Sequence, residues 1–580
     1  MGSRPLRDPL LWLVVAATLA SAAPIAHWGI PRATAASRVH AWGNDDEIPL
    51  APLADLHNAL IESKPDWNVA YPMLDYLVLG AAYAPYLGAL WWSGELREPT
   101  GEFPFGLRDP ERAFRTLSWI GRSIALLLAC ACVAGVYWTA RTLFHPSAGV
   151  LAAASWLLAF PYIYYAPLGN PDGPMLAWTS LGLAASAEIL RNGFTPGRAT
   201  ALGFFVACAG ATKDQAAGNF ALVAPALLAL HFASGARHRW RRFESRAVGP
   251  AIAALSGIVV FVIASGIPIA PERFARHLAL VVTVGPGTRA LYLRHPPGLE
   301  GALAQATDLA FHLADVLGVL LIPIALGLAL ALRRERRALV LALSSIGMFL
   351  LLMPVGMSRI HYLLPVALPL CAFAGLALSE LWRRAPRALA LAVIAGVFGW
   401  HSLRTIDLIH ALRYDARYAA SAWLDAHTRA GDVVLGFGAP YKNPHLRADV
   451  ASVAVDPRER GREEMAARPE FVIVQPEDTN QRRERVEWRR GPLSVRNDYI
   501  EEEIWRDLTN GALGYRLVAQ FQTPRLLPFA YRPALSYAVA NPPVQIFARE
   551  DRAQGLPALT AWQEAPHNPP VWRVNEPLRD

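Results

Sequence analysis

YPMLDYLVLGAAYAPYLGALWW, residues 71–92, is long enough to cross a bilayer, yet Asp75, two prolines and aromatics at both ends interrupt it. Whether it crosses decides which side of the membrane every later loop faces, and the arginines answer that. If it does not cross, alternate connections carry Arg4 and Arg7, then Arg141, then Arg191 and Arg198, then GARHRWRRFESR (235–246), RRERR (333–337) and WRRAPR (382–387). All then share one face, the asymmetry expected of cytoplasmic loops. If it crosses, Arg4 and Arg7 lie opposite every other cluster. The stretch therefore reads as a juxtamembrane or re-entrant helix on the outer face.

Around it, apolar runs near 9–29, 117–140, 148–166, 174–190, 198–212, 217–233, 248–269, 304–331, 338–355, 362–381 and 387–402 predict about eleven spans, at roughly 20 residues for each longer one. The whole chain agrees: 580 residues, 53% hydrophobic, 18% charged, with mean hydropathy +0.24. That is too apolar for a soluble protein of this length. The net charge of +8 does not indicate nucleic acid, because the arginines fall in short clusters between apolar runs. Cys130, Cys132, Cys208 and Cys371 all lie inside apolar runs, which predicts packing rather than disulfides or zinc.

An odd number of crossings puts the N-terminus inside and the polar tail outside, with the first span a retained anchor rather than a cleaved signal peptide. The expected organisation is a transmembrane domain over 1–402, whose first outer loop, 30–116, carries juxtamembrane helices, followed by an extracytoplasmic domain over 403–580. In that tail DVVLGFG, EFVIVQ, YRLVAQF and PVQIFARE read as strands and RYAASAWLDAHTRAG as a helix, which predicts α/β structure. Reporter fusions after residues 141, 191, 240, 335 and 385 should report cytoplasm, and fusions after 60, 100, 290 and 420 the outer side. A cytoplasmic signal at 100 would overturn the parity argument.

On this topology the outer face collects charge. It receives Asp45, Asp46 and Glu47 of HAWGNDDEIPL (40–50), Asp172 of PLGNPDGPML, Lys213 of GATKDQAAGN, His295 in the 270–303 loop, and Arg359 and His361 of MSRIHYLLP. Charges kept at membrane depth line a water-filled cavity or bind something, unless each merely caps a helix. Lys213 and Arg359, with Arg112 and Arg115 at the outer end of the second span, are suited to phosphate oxygens. A carboxylate is suited to take a proton from an incoming hydroxyl. Tyr71 and Tyr362 are further candidates for the cavity wall.

The order of features resembles the GT-C glycosyltransferases of the protein O-mannosyltransferase and lipid A aminoarabinose transferase type. The matching pieces are the acidic pair Asp46–Glu47 after the first span, YPMLDYL, FRTLSWIGRSIALLLACACVAGVYWTARTLF, FPYIYYAPLGNPDGPMLAW, GATKDQAA and SRIHYLLPVALPLCAFAG. They cover roughly residues 9–400. The resemblance implies a polyprenyl-phosphate sugar donor and a lipid, glycan or protein acceptor, in a bacterial inner membrane. It implies Asp46 as catalytic base, with Asp45 the close rival and Glu47 an orienting or acceptor-binding partner. It also matches Asp172 to the family's second aspartate and Lys213 to the lysine after the fifth span. The sequence departs from the pattern at Asp214 and Gln215 and in the insert SGELREPTGEFPFGLRDPE (93–111). The competing class is a transporter or flippase for a lipid-linked sugar, which tends to show repeated halves not found here. No cofactor is expected to be required. Successive carboxylates of an extended segment cannot all face one ion, although a divalent cation held by some of them with His295 or His361 is the alternative.

Overall fold

Inside a bilayer the backbone has only itself to bond with, and the apolar runs form helices accordingly. The computed structural model describes residues 8–43, 46, 48–62, 70–233, 241–283, 295, 298–355, 360–437, 440–455, 461–475, 502–523, 526, 540–556 and 559. Among these, seven helical stretches are long and apolar enough to cross a membrane: Pro110–Leu143, Ala216–Ala233, Ala247–Ala264, Leu299–Arg334, Arg336–Val355, Ile360–Arg384 and Arg387–His427. The chain is a multi-pass helical membrane protein. The other expected spans fall on shorter apolar helices, Pro9–Ile25 and Pro146–Leu157, or on more polar ones such as Asp172–Asn192. The 71–92 stretch forms a 20-residue helix, Leu74–Ser93, with Pro85 inside it, and is not among the seven.

The chain forms two compact units. The first comprises Met1–Ala26, Ala51–Pro85 and Ile120–Thr405. At its centre the Leu364–Arg384 helix is apolar on every side and buried along most of its length. Small residues allow that burial. A methyl group added at Gly375 would lie 2.3 Å from Ala148 O and 2.7 Å from Ala152 Cβ, so the Pro146–Leu157 helix packs directly on the backbone there. At the periphery the apolar side chains face outward. Leu255 and Ile258 on the Arg241–Ala264 helix are 64% and 62% exposed, the pattern of a surface solvated by lipid. The four cysteines are buried and free, as the packing reading expects.

The second unit comprises His27–Leu50, Tyr86–Trp119 and Ile406–Asp580. It holds a mixed five-stranded sheet of β1 (Val433–Phe437), β2 (Ala451–Val455), β3 (Phe471–Val474), β4 (Tyr515–Phe521) and β5 (Val544–Arg549), in the order β2-β1-β3-β5-β4. β1 runs parallel to β2 and β3, and β5 runs antiparallel to β3 and β4. Alternation along the strands supplies two cores. Val434, Phe471, Ile473 and Ile546 meet Ala420 and Leu424 of the Ala416–His427 helix. Leu435, Val472, Val474 and Phe547 meet Ile504 and Leu508 of the Glu502–Thr509 helix on the other face.

Candidate functional site

The Asp172–Asn192 helix begins at a sequence built to start it. Asp172 N donates to Asn170 Oδ1 at 2.7 Å, and Pro171 precedes the first turn with φ −62°. The Asp172 carboxylate therefore sits at a helix N-terminus, where the peptide dipoles favour negative charge. Lys213 occupies the complementary position. It is the residue that ends the Pro196–Thr212 helix, leaving helical geometry at φ −155°, ψ 124°. Its cation thus lies at a helix C-terminus.

The two side chains meet in the interior of the first unit. Lys213 Nζ donates to Asp172 Oδ1 at 2.7 Å, with the side chains only 6% and 1% exposed. The other oxygen, Asp172 Oδ2, is buried and accepts no hydrogen bond among the described residues. His361 Nε2 lies 3.9 Å from it. His361 stands in the short Ile360–Leu363 turn ahead of the central helix, and its Nδ1 shares a 3.0 Å hydrogen bond with Tyr165 Oη. Aromatic faces enclose the lysine: Nζ lies 5.4 Å from the Tyr71 ring centre and 5.7 Å from that of Tyr362.

A second layer supports this group. Arg273, 2% exposed, donates to Tyr71 O at 3.0 Å, and its guanidinium lies 5.9 Å from the Tyr76 ring centre. One turn on, His277 Nε2 is 3.2 Å from Asp214 Oδ1. Both come from the Pro271–Thr283 helix, where Arg273 and His277 are buried while Glu272 and Arg276, with Leu278 and Val281 at 50% and 44%, are exposed.

Thus Asp172, Lys213, His361, Tyr362 and Tyr71, all singled out from the sequence, come together. His295 is not part of this group and pairs with Asp308 at 2.9 Å. Asp45, Glu47 and Arg359 lie outside the described residues. Asp46, Arg112 and Arg115 belong to the second unit. Asp46 is 6% exposed there. Arg112 N is capped by Asp109 Oδ1 at 3.0 Å, and Arg115 pairs with Glu111 at 3.1 Å from an exposed position. Sequence reasoning missed Tyr165, Asn170 and Arg273. The i, i+4 spacing of Arg273 and His277 was the available signal for the last. Among the described residues no three His, Cys, Asp or Glu side chains gather as a metal site.

Chemically, the cluster is a buried carboxylate paired with a lysine ammonium, with its second oxygen buried and accepting no hydrogen bond among the described residues, in an aromatic wall. It is suited to anchoring a polar headgroup at the edge of an apolar phase.

The sequence match falls on this region. Residues 113–265, which contain Asp172 and Lys213, match the family described as dolichyl-phosphate-mannose-protein mannosyltransferase. No curated relative matches the chain. Among solved structures, ArnT from Cupriavidus metallidurans bound to undecaprenyl phosphate is similar at 13% identity and TM-score 0.47, over 81% of this chain and 94% of that one. The Archaeoglobus fulgidus oligosaccharyltransferase in complex with Zn and sulfate is similar at 11% identity and TM-score 0.49, over 93% and 88%. The arabinofuranosyltransferase AftD from Mycobacteria is similar at 16% identity and TM-score 0.36, over 93% and 41%.

Proposed function

We propose that this protein is a membrane glycosyltransferase that moves one sugar from a polyprenyl-phosphate carrier to a lipid, glycan or protein acceptor on the outer face of a bacterial inner membrane. The observation that carries this reading is the buried Asp172–Lys213 pair, inside the segment that matches the family described as dolichyl-phosphate-mannose-protein mannosyltransferase. An acceptor hydroxyl is a weak nucleophile. In the proposed step Asp46 removes its proton as the oxygen bonds to the anomeric carbon, the bond from that carbon to the phosphate oxygen breaks, and its electrons leave on the polyprenyl phosphate. A single displacement of this kind inverts the anomeric centre. Lys213 supplies positive charge for the phosphate, and Asp172 holds that cation in place.

The test uses the purified full chain in detergent with a polyprenyl-phosphate sugar labelled in both sugar and lipid. Transfer predicts acceptor-dependent loss of label from the carrier together with stoichiometric polyprenyl phosphate. A donor that is bound and moved across vesicles, but never cleaved with any acceptor class, would instead establish a transporter or flippase.

A further inference from the structure

The segment bearing Asp46 is held by a clamp within the second unit. Trp42, 1% exposed, donates from Nε1 to Asn443 O at 3.0 Å and stacks on His445 with ring centres 4.5 Å apart. The Arg417 guanidinium lies 4.2 Å from its ring centre. Arg417 is itself fixed by Asp415 through bonds of 3.0 and 2.8 Å, and Asp415 also accepts from Trp28 Nε1 at 3.0 Å. Burial, with Arg417 and Arg32 beside it, pushes His445 down to about 3, so an uncharged ring stacks on the indole at physiological pH. On the other flank Trp42 N bonds to Gly29 O at 3.0 Å. Gly29 has φ +64°, and a methyl group there would lie 2.5 Å from Trp42 Cβ.

The residue after the indole then touches the carboxylate directly. Asp46 N donates to Gly43 O at 3.3 Å. A methyl group on Gly43 would lie 2.6 Å from Asp46 Cβ and 2.8 Å from Oδ2. Gly43 has no left-handed backbone to explain it. What requires a glycine there is the Asp46 side chain lying against its Cα.

We propose that Gly43, its backbone clamped through Trp42, is a positioning residue for Asp46: it is the floor against which the carboxylate is set. The inference rests on the reading of Asp46 as base. Relief of the contact in Gly43→Ala demands a displacement of about 1 Å, and a misplacement of that size costs on the order of a hundredfold in rate when proton transfer depends on it.

Single-turnover transfer and polyprenyl phosphate binding are measured for Gly43→Ala in the wild-type and Asp46→Asn backgrounds, with Gly88→Ala as control. An added methyl at Gly88 meets no atom within 4 Å. The expected result is a fall of about ten- to a hundredfold in rate for Gly43→Ala, with binding changed less than about twofold and no further loss in the Asp46→Asn background. Wild-type rates in Gly43→Ala overturn the inference, as do equal fractional losses in both backgrounds, which mark a role independent of Asp46. Full activity in Asp46→Asn removes the base assignment itself and this inference with it. If Gly43→Ala does not fold, Trp42→Phe decides on the same cycle, since it keeps an aromatic face toward Arg417 and His445 while losing the bond to Asn443 and one ring of the clamp that holds the Gly43 backbone.

Discussion

Asp46→Asn is expected to lower turnover by about a hundredfold or more at unchanged donor occupancy. Asparagine keeps the volume of the side chain and most of its hydrogen-bonding capacity, so the tight contact with Gly43 survives. It cannot accept a proton at neutral pH, so a step that needs a base at that position loses it. The effect belongs in the chemical step and not in binding. Single-turnover transfer, measured at saturating labelled donor, isolates that step. Asp45→Asn should cost far less, because in this reading a single carboxylate of the acidic group takes the proton of the hydroxyl. Asp172→Asn should fall between them if Asp172 acts by holding Lys213. An inert Asp45→Asn beside a fully active Asp46→Asn would move the base one residue toward the N-terminus.

What could be read from the sequence, and what could not, divides by physical cause. Lys213 and Asp172 stood out because a charge flanked by apolar residues is costly, and only pairing or ligand binding compensates for it. Their 2.7 Å contact joins turns 41 residues apart, and nothing in the local pattern announces it. The strands β1, β3, β4 and β5 carry runs of Val, Ile and Phe that alternate against two cores. β2, ASVAV, has mostly small residues and half-exposed burial, so it carried too weak a signal to be expected. Arg273 was lost among loop residues because it is one of two arginines on a short helix, and nothing in the local pattern separates the buried Arg273 from the exposed Arg276. The clamp around Trp42 was beyond reach for another reason. Trp28 and Asp415 are 387 positions apart, and a contact of that separation is a property of the chain's topology rather than of any window of sequence.

Lys213→Ala is the second large effect, and the structure makes it twofold. Loss of the ammonium removes a charge-assisted partner for phosphate, which should weaken binding of polyprenyl phosphate by about ten- to a hundredfold. It also strands the Asp172 carboxylate, 1% exposed and one oxygen already without a hydrogen-bond partner among the described residues. Breaking a buried pair by removing one partner costs about 3–5 kcal/mol, so the variant should melt earlier in detergent. The two consequences separate in the double variant. Lys213→Ala with Asp172→Asn leaves no buried charge, and stability should return most of the way toward wild type, since neutralising both partners avoids the unpaired carboxylate. Donor binding should stay weak, because no cation has been restored. Lys213→Arg should keep the pair and part of the binding, with the planar fork fitting the aromatic wall of Tyr71 and Tyr362 less well than the ammonium. Thermal denaturation and titration with polyprenyl phosphate on the same samples give both readings. Recovery of donor binding in the double variant, in step with stability, would mean that Lys213 serves only to neutralise Asp172 and that the phosphate is held elsewhere.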